Sequence, residues 1–273
     1  MQMSALTSKE LLELENNSLY LILDINYFND KQIDVYNNII CNDWVPLFCN
    51  TPYDGNLDVS PIIIKLESNN EILLEKAKNK IAGIVLNSNL ALDELQQKLA
   101  YMLTVESDIK KEGICLLRFY SPITASYLIK KQPEYFGKDI KETFTPSYSR
   151  LSWNHSLLKN SSDNYKLKID DSFRANLKNQ RMAYYLGYYE KWKKISNTII
   201  YDSATSLVKL IESGKYNKKE YKEWENLILS FPELLKHNYW IHLTSQNTSF
   251  TEKWKEACFL VDSIKQNQGF KYD

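Results

Sequence analysis

The sequence is poor in glycine, and this excludes several nucleotide-binding and catalytic motifs. Seven glycines occur in 273 residues, and no two of them are closer than 24 residues. Loops that hold phosphates need glycines a few residues apart, because the backbone must turn sharply and approach the ligand. The sequence therefore excludes a P-loop, a G-x-G-x-x-G dinucleotide motif and a G-x-S-x-G nucleophile elbow.

Histidine and cysteine are also scarce, which leaves little from which to build a metal site. Of the three histidines, His237 and His242 are five residues apart, a spacing that does not share a helix face. The four cysteines show no metal-ligand spacing: Cys41, Cys49, Cys115 and Cys258. We expect free, buried thiols in a reducing compartment, and no metal, no cofactor and no catalytic residue.

No apolar run approaches the 18 residues of a membrane span, and the first residues lack the basic and apolar regions of a signal peptide. We therefore expect a cytoplasmic protein without membrane insertion. The 34 basic and 34 acidic side chains balance, but residues 1–140 hold 13 basic and 19 acidic, and residues 141–273 hold 21 and 15. With a pI near 6.8, we expect no nucleic-acid partner.

The first half of the chain alternates apolar runs with amphipathic segments. The apolar runs predict strands at residues 19–23, 61–66, 81–86 and 114–120. Leucine spacings of three and four predict a helix at residues 90–103, and weaker patterns predict helices at 71–79 and 122–131. We therefore expect residues 1–150 to form an α/β lobe, with an about four-stranded sheet covered by helices.

From about residue 151 the pattern becomes helical. A polar loop is predicted at residues 159–164, and further helices are predicted at 201–211, 218–229 and 250–264. One helical stripe is predicted from these residues: Phe173, Leu177, Tyr184, Tyr188, Trp192, Ile195 and Ile199. This second half also contains five of the six tryptophans. We expect residues 151–273 to form a mostly helical, aromatic-rich lobe.

Arg118 lies within an apolar run, where an unpaired guanidinium group would be costly. It must therefore pair with a carboxylate or reach a surface, and Asp24, at the end of the first strand, is a candidate partner. A structural ion pair, a contact with a partner protein and a catalytic role all stay open for Arg118.

Aromatic residues surround the predicted helix at residues 184–192 rather than forming one stripe. Tyr and Trp are common in binding hot spots because they bury a large area at a small entropic cost, but they also fill junctions between lobes. Both interpretations stay open. The residues predicted to bind a partner are Tyr184, Tyr185, Tyr188, Tyr189, Trp192 and Arg118, although Tyr188 and Trp192 also lie on the stripe assigned to the core.

Five stretches resemble, in order, the motifs of one protein family. Residues 19–24 resemble L-Y-x-x-L-D, residues 44–48 resemble W-x-P-L-F, and residues 51–53 resemble T-P-Y. Residues 60–64 stand where the family has G-P-Y-L-V. Residues 116–122 resemble L-F-R-x-Y-D-P. The leucine-patterned helix also matches. The family is that of the effector adaptor chaperones of type VI secretion, catalogued as a domain of unknown function, and the resemblance covers about residues 18–138.

The sequence departs from this family at three places. Ser60 replaces a glycine, Ser121 replaces an aspartate, and Ala100 and Tyr101 stand where a basic pair is usual. The last change puts an electrostatic role of that helix in doubt.

The resemblance implies a protein that binds a toxic effector and helps to place it on the valine-glycine-repeat spike protein of the secretion machine. Its partners would be the secreted effector and the spike protein, and it would not be an enzyme. Two alternatives stay open: a hydrolase of unknown substrate, and an immunity-type protein that neutralises a toxin without delivering it.

Overall fold

The computed structural model describes residues 5–14, 18–40, 42–107, 113–158, 167, 169–214 and 217–269. Contacts divide the chain into two units, Met1–Leu177 and Lys178–Asp273, which are described separately below. Cys41 and the predicted polar loop at 159–164 lie outside the described residues. The described cysteines, Cys49, Cys115 and Cys258, are free thiols, half-buried rather than buried as predicted.

The first unit is a mixture of strands and helices. The strands are β1 (Ala5–Leu6), β2 (Leu19–Leu23), β3 (Trp44–Pro46), β4 (Ile62–Lys65), β5 (Gly83–Ser88), β6 (Thr104–Ser107), β7 (Gly113–Leu116), β8 (Ile140–Pro146) and β9 (Trp153–Leu157). The helices are α1 (Ser8–Leu12), α2 (Lys31–Asp34), α3 (Glu71–Lys80), α4 (Leu92–Tyr101) and α5 (Pro122–Lys131). Helix α6 (Asp171–Tyr188) begins in this unit and ends in the second.

The main sheet has seven strands in the order β1-β9-β8-β5-β2-β4-β3, and neighbouring strands are antiparallel. The sheet is therefore larger than the four strands predicted. The predicted strands at 19–23, 61–66 and 81–86 correspond to β2, β4 and β5. The fourth predicted strand ends early, at Leu116, and pairs with β6 in a separate two-stranded sheet.

Strand β2 is buried on both faces, as its continuous apolar run predicts. Tyr20 and Ile22 pack into a core cluster that includes residues of α4 and α5. Leu21 and Leu23 pack into a second cluster, which includes residues of α1 and α3. The alternation of side chains along one strand therefore joins two hydrophobic cores.

Gly83, the first residue of β5, lies directly against β2. It faces Leu23 in the register of the two strands. A Cβ atom at this position would lie 2.2 Å from the carbonyl oxygen of Ile22, so a side chain here would force the strands apart.

A buried polar network connects α1, α3 and β9. The indole Nε1 of Trp153 donates to the hydroxyl of Ser8 over 3.0 Å, and that hydroxyl donates to the carboxylate of Glu75. The amine of Lys78 donates to the same carboxylate oxygen over 2.6 Å. Ser8, Lys78 and Trp153 are buried, and Lys78 also donates to the carbonyl of Leu151 over 3.3 Å, so each of the three has a hydrogen-bonding partner. The burial of Glu75 acts to raise the pKa of its carboxyl, but hydrogen bonds from Lys78 and Ser8 outweigh that effect and lower it.

We predict that Ser8→Ala destabilises the protein by about 1–3 kcal/mol, because it leaves the buried indole of Trp153 without its acceptor.

The network also makes the stability of the protein depend on pH. Because the pKa of Glu75 is lowered on folding, its contribution to stability is complete above the pKa of the unfolded chain and is lost as the pH falls through the folded value. Urea unfolding between neutral and acid pH measures both effects. Glu75→Gln should flatten the acid limb, whereas Glu67→Gln, at an exposed position, should not. Equal acid limbs in all three proteins would contradict this prediction.

The second unit is helical in its described residues. After α6 come α7 (Asn197–Glu212), α8 (Lys218–Ser230), α9 (Asn238–Ser245) and α10 (Phe250–Gly269). Predicted helices match α7, α8 and α10, whereas the eight residues of α9 are too few for a clear periodic pattern. The buried ring of Trp224 lies 5.5 Å from the ring of Trp240 and 5.2 Å from that of Trp254.

The prediction of one helical stripe across residues 173–199 is wrong. Helix α6 ends at Tyr188, and a 3-10 turn follows at Glu190–Trp192. The side chain of Ser196 then accepts a hydrogen bond from the backbone N–H of Ile199. Serine at this position caps a new helix, so α7 begins on its own axis rather than continuing α6.

Candidate functional site

Arg118 lies beyond the end of β7 and pairs with Asp24, as the sequence suggested. One guanidinium nitrogen lies 3.7 Å from Oδ2 of Asp24. The side chain of Arg118 is 56% exposed, whereas that of Asp24 is only 5% exposed. Arg118 therefore both pairs with a carboxylate and reaches the surface.

Asp24 also organises the chain that follows β2. Its Oδ1 accepts hydrogen bonds from the backbone N–H of Asn26 over 3.1 Å and from the Asn26 side chain over 2.9 Å. The same amide group of Asn26 donates to the carbonyl of Val59. A buried carboxylate needs several donors, and here the turn of Ile25–Tyr27 supplies them.

Tyr120 completes what we call the Arg118 cluster: Asp24, Asn26, Arg118 and Tyr120. Burial raises the pKa of Tyr120 to about 12, and the negative charge of Asp24 adds to this effect against the opposing influence of Arg118. The phenol of Tyr120 therefore stays neutral at neutral pH, beside the ion pair of Asp24 and Arg118. This arrangement suits electrostatic recognition of a partner as well as structural pairing.

The two members of the ion pair should contribute unequally to stability. We predict that Asp24→Ala costs about 2 kcal/mol, because it removes the cap of the turn after β2. Arg118→Ala should cost less than about 1 kcal/mol, because its ion pair is long and half-exposed. Urea unfolding at neutral pH compares the two variants. A larger loss for Arg118→Ala would show that its guanidinium group is chiefly structural.

The five aromatic residues predicted to bind a partner are not equally accessible. Tyr184 and Trp192 are buried, whereas Tyr185, Tyr188 and Tyr189 are 49%, 61% and 40% exposed. The hydroxyl of Tyr189 donates to that of Tyr185 over 2.8 Å, and the rings of Tyr188 and Tyr189 lie 5.7 Å apart. Only the three exposed tyrosines can contact a partner without rearrangement of the core.

Trp192 has a structural role in the second unit. Its indole Nε1 donates to Oε1 of Glu225 over 2.7 Å, and the other oxygen of Glu225 lies 2.9 Å from the amine of Lys191. Trp192 and Glu225 are both buried away from water, so each supplies the other with a hydrogen-bonding partner.

Stability measurements should separate the buried from the exposed aromatic residues. We predict that Trp192→Ala costs about 3–5 kcal/mol, because it leaves a cavity and removes the donor to Glu225. Tyr189→Ala should cost less, about 1–2 kcal/mol, because at this half-exposed position it loses the hydrogen bond to Tyr185 and ring contacts with Tyr185 and Tyr188. Thermal unfolding followed by circular dichroism checks both values. Equal losses would mean that the exposed tyrosines are part of the core.

Helices α6, α7 and α8 form a groove, and one of the exposed tyrosines, Tyr185, lines it. It has a volume of about 640 Å³. We define the tyrosine groove by six lining residues: Arg181, Met182, Tyr185, Val208, Ile211 and Tyr221. The ion pair between Lys178 and Glu212, 2.5 Å long, also lines it. Sequence reasoning found only Tyr185 among the six, since the others come together from three helices.

The described part of the chain shows neither a membrane-spanning helix nor a cluster of metal-binding side chains. None of its helices combines the length and the apolar character needed to cross a lipid bilayer. The same residues contain no group of three or more His, Cys, Asp or Glu side chains that could hold a metal ion.

Comparison with known proteins adds one finding. No curated protein and no solved structure matches the chain. Residues 19–131 match the family described as "Domain of unknown function (DUF4123)". The matched range runs from the start of β2 to the end of α5, includes the whole Arg118 cluster and covers less than half of the chain. Over this range, the chain is similar to that family.

Proposed function

We propose that this protein is an adaptor of type VI secretion, which binds a cognate toxic effector and helps to load it onto the valine-glycine-repeat spike protein. The observation that carries the proposal is the family match over residues 19–131, since that family is associated with type VI effector adaptors. The protein acts by binding rather than by catalysis.

The arrangement of the matched region supports this proposal. The first and last of its motif-like stretches meet in space: Asp24, directly after β2, forms an ion pair with Arg118, which follows β7. The match ends before α6, so the second unit lies outside it. The matched region performs the task common to such adaptors, and the second unit selects the cargo.

The exposed tyrosines suit a contact that must be specific yet reversible. Such contacts use a few aromatic anchors within a polar rim rather than a wholly apolar interface. Tyr185, Tyr188 and Tyr189 provide three rings, each with a hydroxyl group, at the end of α6. We assign these three residues to effector binding.

Pull-down with the purified chain tests the proposal. The baits are the delivery region and the toxic domain of a candidate type VI effector from the same genome, and the spike protein of that genome. An adaptor binds the delivery region and is required for secretion of the effector. Binding to the toxic domain with loss of toxicity would instead support the immunity-type alternative, and binding to neither region would refute the adaptor.

We predict that Tyr188→Ala weakens binding of the effector by at least about 2 kcal/mol, since an exposed aromatic anchor loses its contact area. Isothermal titration calorimetry with the full-length chain measures the change. Tyr101→Ala is the matched control, because Tyr101 is 86% exposed and lies on α4 of the first unit. Unchanged affinity in a folded Tyr188→Ala variant would move the assignment to the Arg118 cluster.

A further inference from the structure

The tyrosine groove presents hydrogen-bond donors that have few acceptors. Within the described part of the chain, no carboxylate lies within 4.0 Å of the guanidinium group of Arg181. The hydroxyl of Tyr185 accepts from Tyr189, and the hydroxyl of Tyr221 donates only weakly, to the sulfur of Met182 over 3.5 Å. The one carboxylate lining the groove, that of Glu212, is already paired with Lys178.

These donors keep their protons at neutral pH. The hydrogen bond with Tyr189, together with partial burial, raises the pKa of Tyr185 to about 12. Burial also raises the pKa of Tyr221. Besides the Lys178–Glu212 ion pair, the groove therefore combines the positive charge of Arg181 with two neutral hydroxyl donors, and a carboxylate complements all three.

The rest of the groove is apolar and lies on helices. Met182, Val208 and Ile211 supply aliphatic surface from α6 and α7. The backbone N–H groups of the lining residues donate within their own helices or, at Tyr221, to the capping residue Asn217. An extended peptide would find no strand edge with which to pair, whereas a helix satisfies its own backbone.

We propose that the tyrosine groove binds an amphipathic α-helix of the effector, whose apolar stripe contacts Met182, Val208 and Ile211 while an adjacent aspartate or glutamate side chain pairs with Arg181. This proposal rests on the proposed function and names the chemistry of the cargo segment. The charge of the second unit favours the same partner, since residues 178–273 hold 15 basic and 11 acidic side chains.

The test uses the full-length chain and synthetic peptides that tile the effector captured in the pull-down. Each peptide has about 20 residues, a length that forms several helical turns. Peptides that bind are compared between the wild-type chain and three variants: Arg181→Glu, Arg181→Gln and Lys236→Glu. Lys236 is exposed and does not line the groove, so it is the matched control for reversal of charge. Melting temperatures confirm that each variant is folded.

We expect the bound peptide to become helical and to carry apolar residues at spacings of three and four beside an acidic residue. Arg181→Glu should weaken its binding at least about tenfold, Arg181→Gln less, and Lys236→Glu hardly at all. Exchange of the peptide's acidic residue for lysine should restore binding to the Arg181→Glu chain. Such a rescue shows that the two charges interact in the complex, because a general loss of stability would not be restored by a change in the peptide.

Three results would overturn the proposal in different ways. If the intact effector binds the wild-type chain but Arg181→Glu leaves its affinity unchanged, the groove is not the cargo site, and the adaptor function stands. If the intact effector does not bind the wild-type chain at all, the proposed function fails and this inference fails with it. Self-association that is lost in Arg181→Glu would assign the groove to a second copy of the chain, against the proposal.

Discussion

Burial of β2 on both faces is the constraint on which the first unit depends. This strand pairs with β4 on one side and β5 on the other, so both of its edges are hydrogen-bonded within the sheet. Its side chains alternate between two hydrophobic clusters, and a shift in register by one residue would exchange the contents of both cores. The helices on either face, and the close approach of Gly83, are consequences of this one strand.

The Arg118 cluster follows from the way in which β2 ends. The buried strand delivers Asp24 to a position with little access to water, and its carboxylate needs donors there. The turn of Ile25–Tyr27 satisfies one oxygen, and Arg118 faces the other. The same ion pair therefore contributes to stability and leaves about half of the Arg118 side chain exposed at the surface.

The sequence predicts the parts of the fold that rest on strong local patterns. Strands β2, β4 and β5 are apolar runs, whereas β8 and β9 interleave polar residues such as Glu142 and His155 and give no comparable signal. The pairing of Asp24 with Arg118 could be predicted, because a charge in an apolar run demands a partner. The tyrosine groove could not be predicted, because its lining residues come together only when three helices have packed. The exposure of the tyrosines also depends on where α6 ends, at Tyr188.

In the second unit, three of the four tryptophans are buried, whereas three tyrosines at the end of α6 are exposed. Trp192, Trp224 and Trp240 are buried, where large rings contribute most to packing, and the indole of Trp192 has Glu225 as its acceptor. The rings left at the surface at the end of α6 are tyrosines, whose hydroxyl groups remain compatible with water when no partner is bound. A surface of this kind can release its partner without exposing a purely apolar face. The reversible binding that the proposed delivery of a cargo requires is therefore consistent with the placement of tyrosine rather than tryptophan at this position.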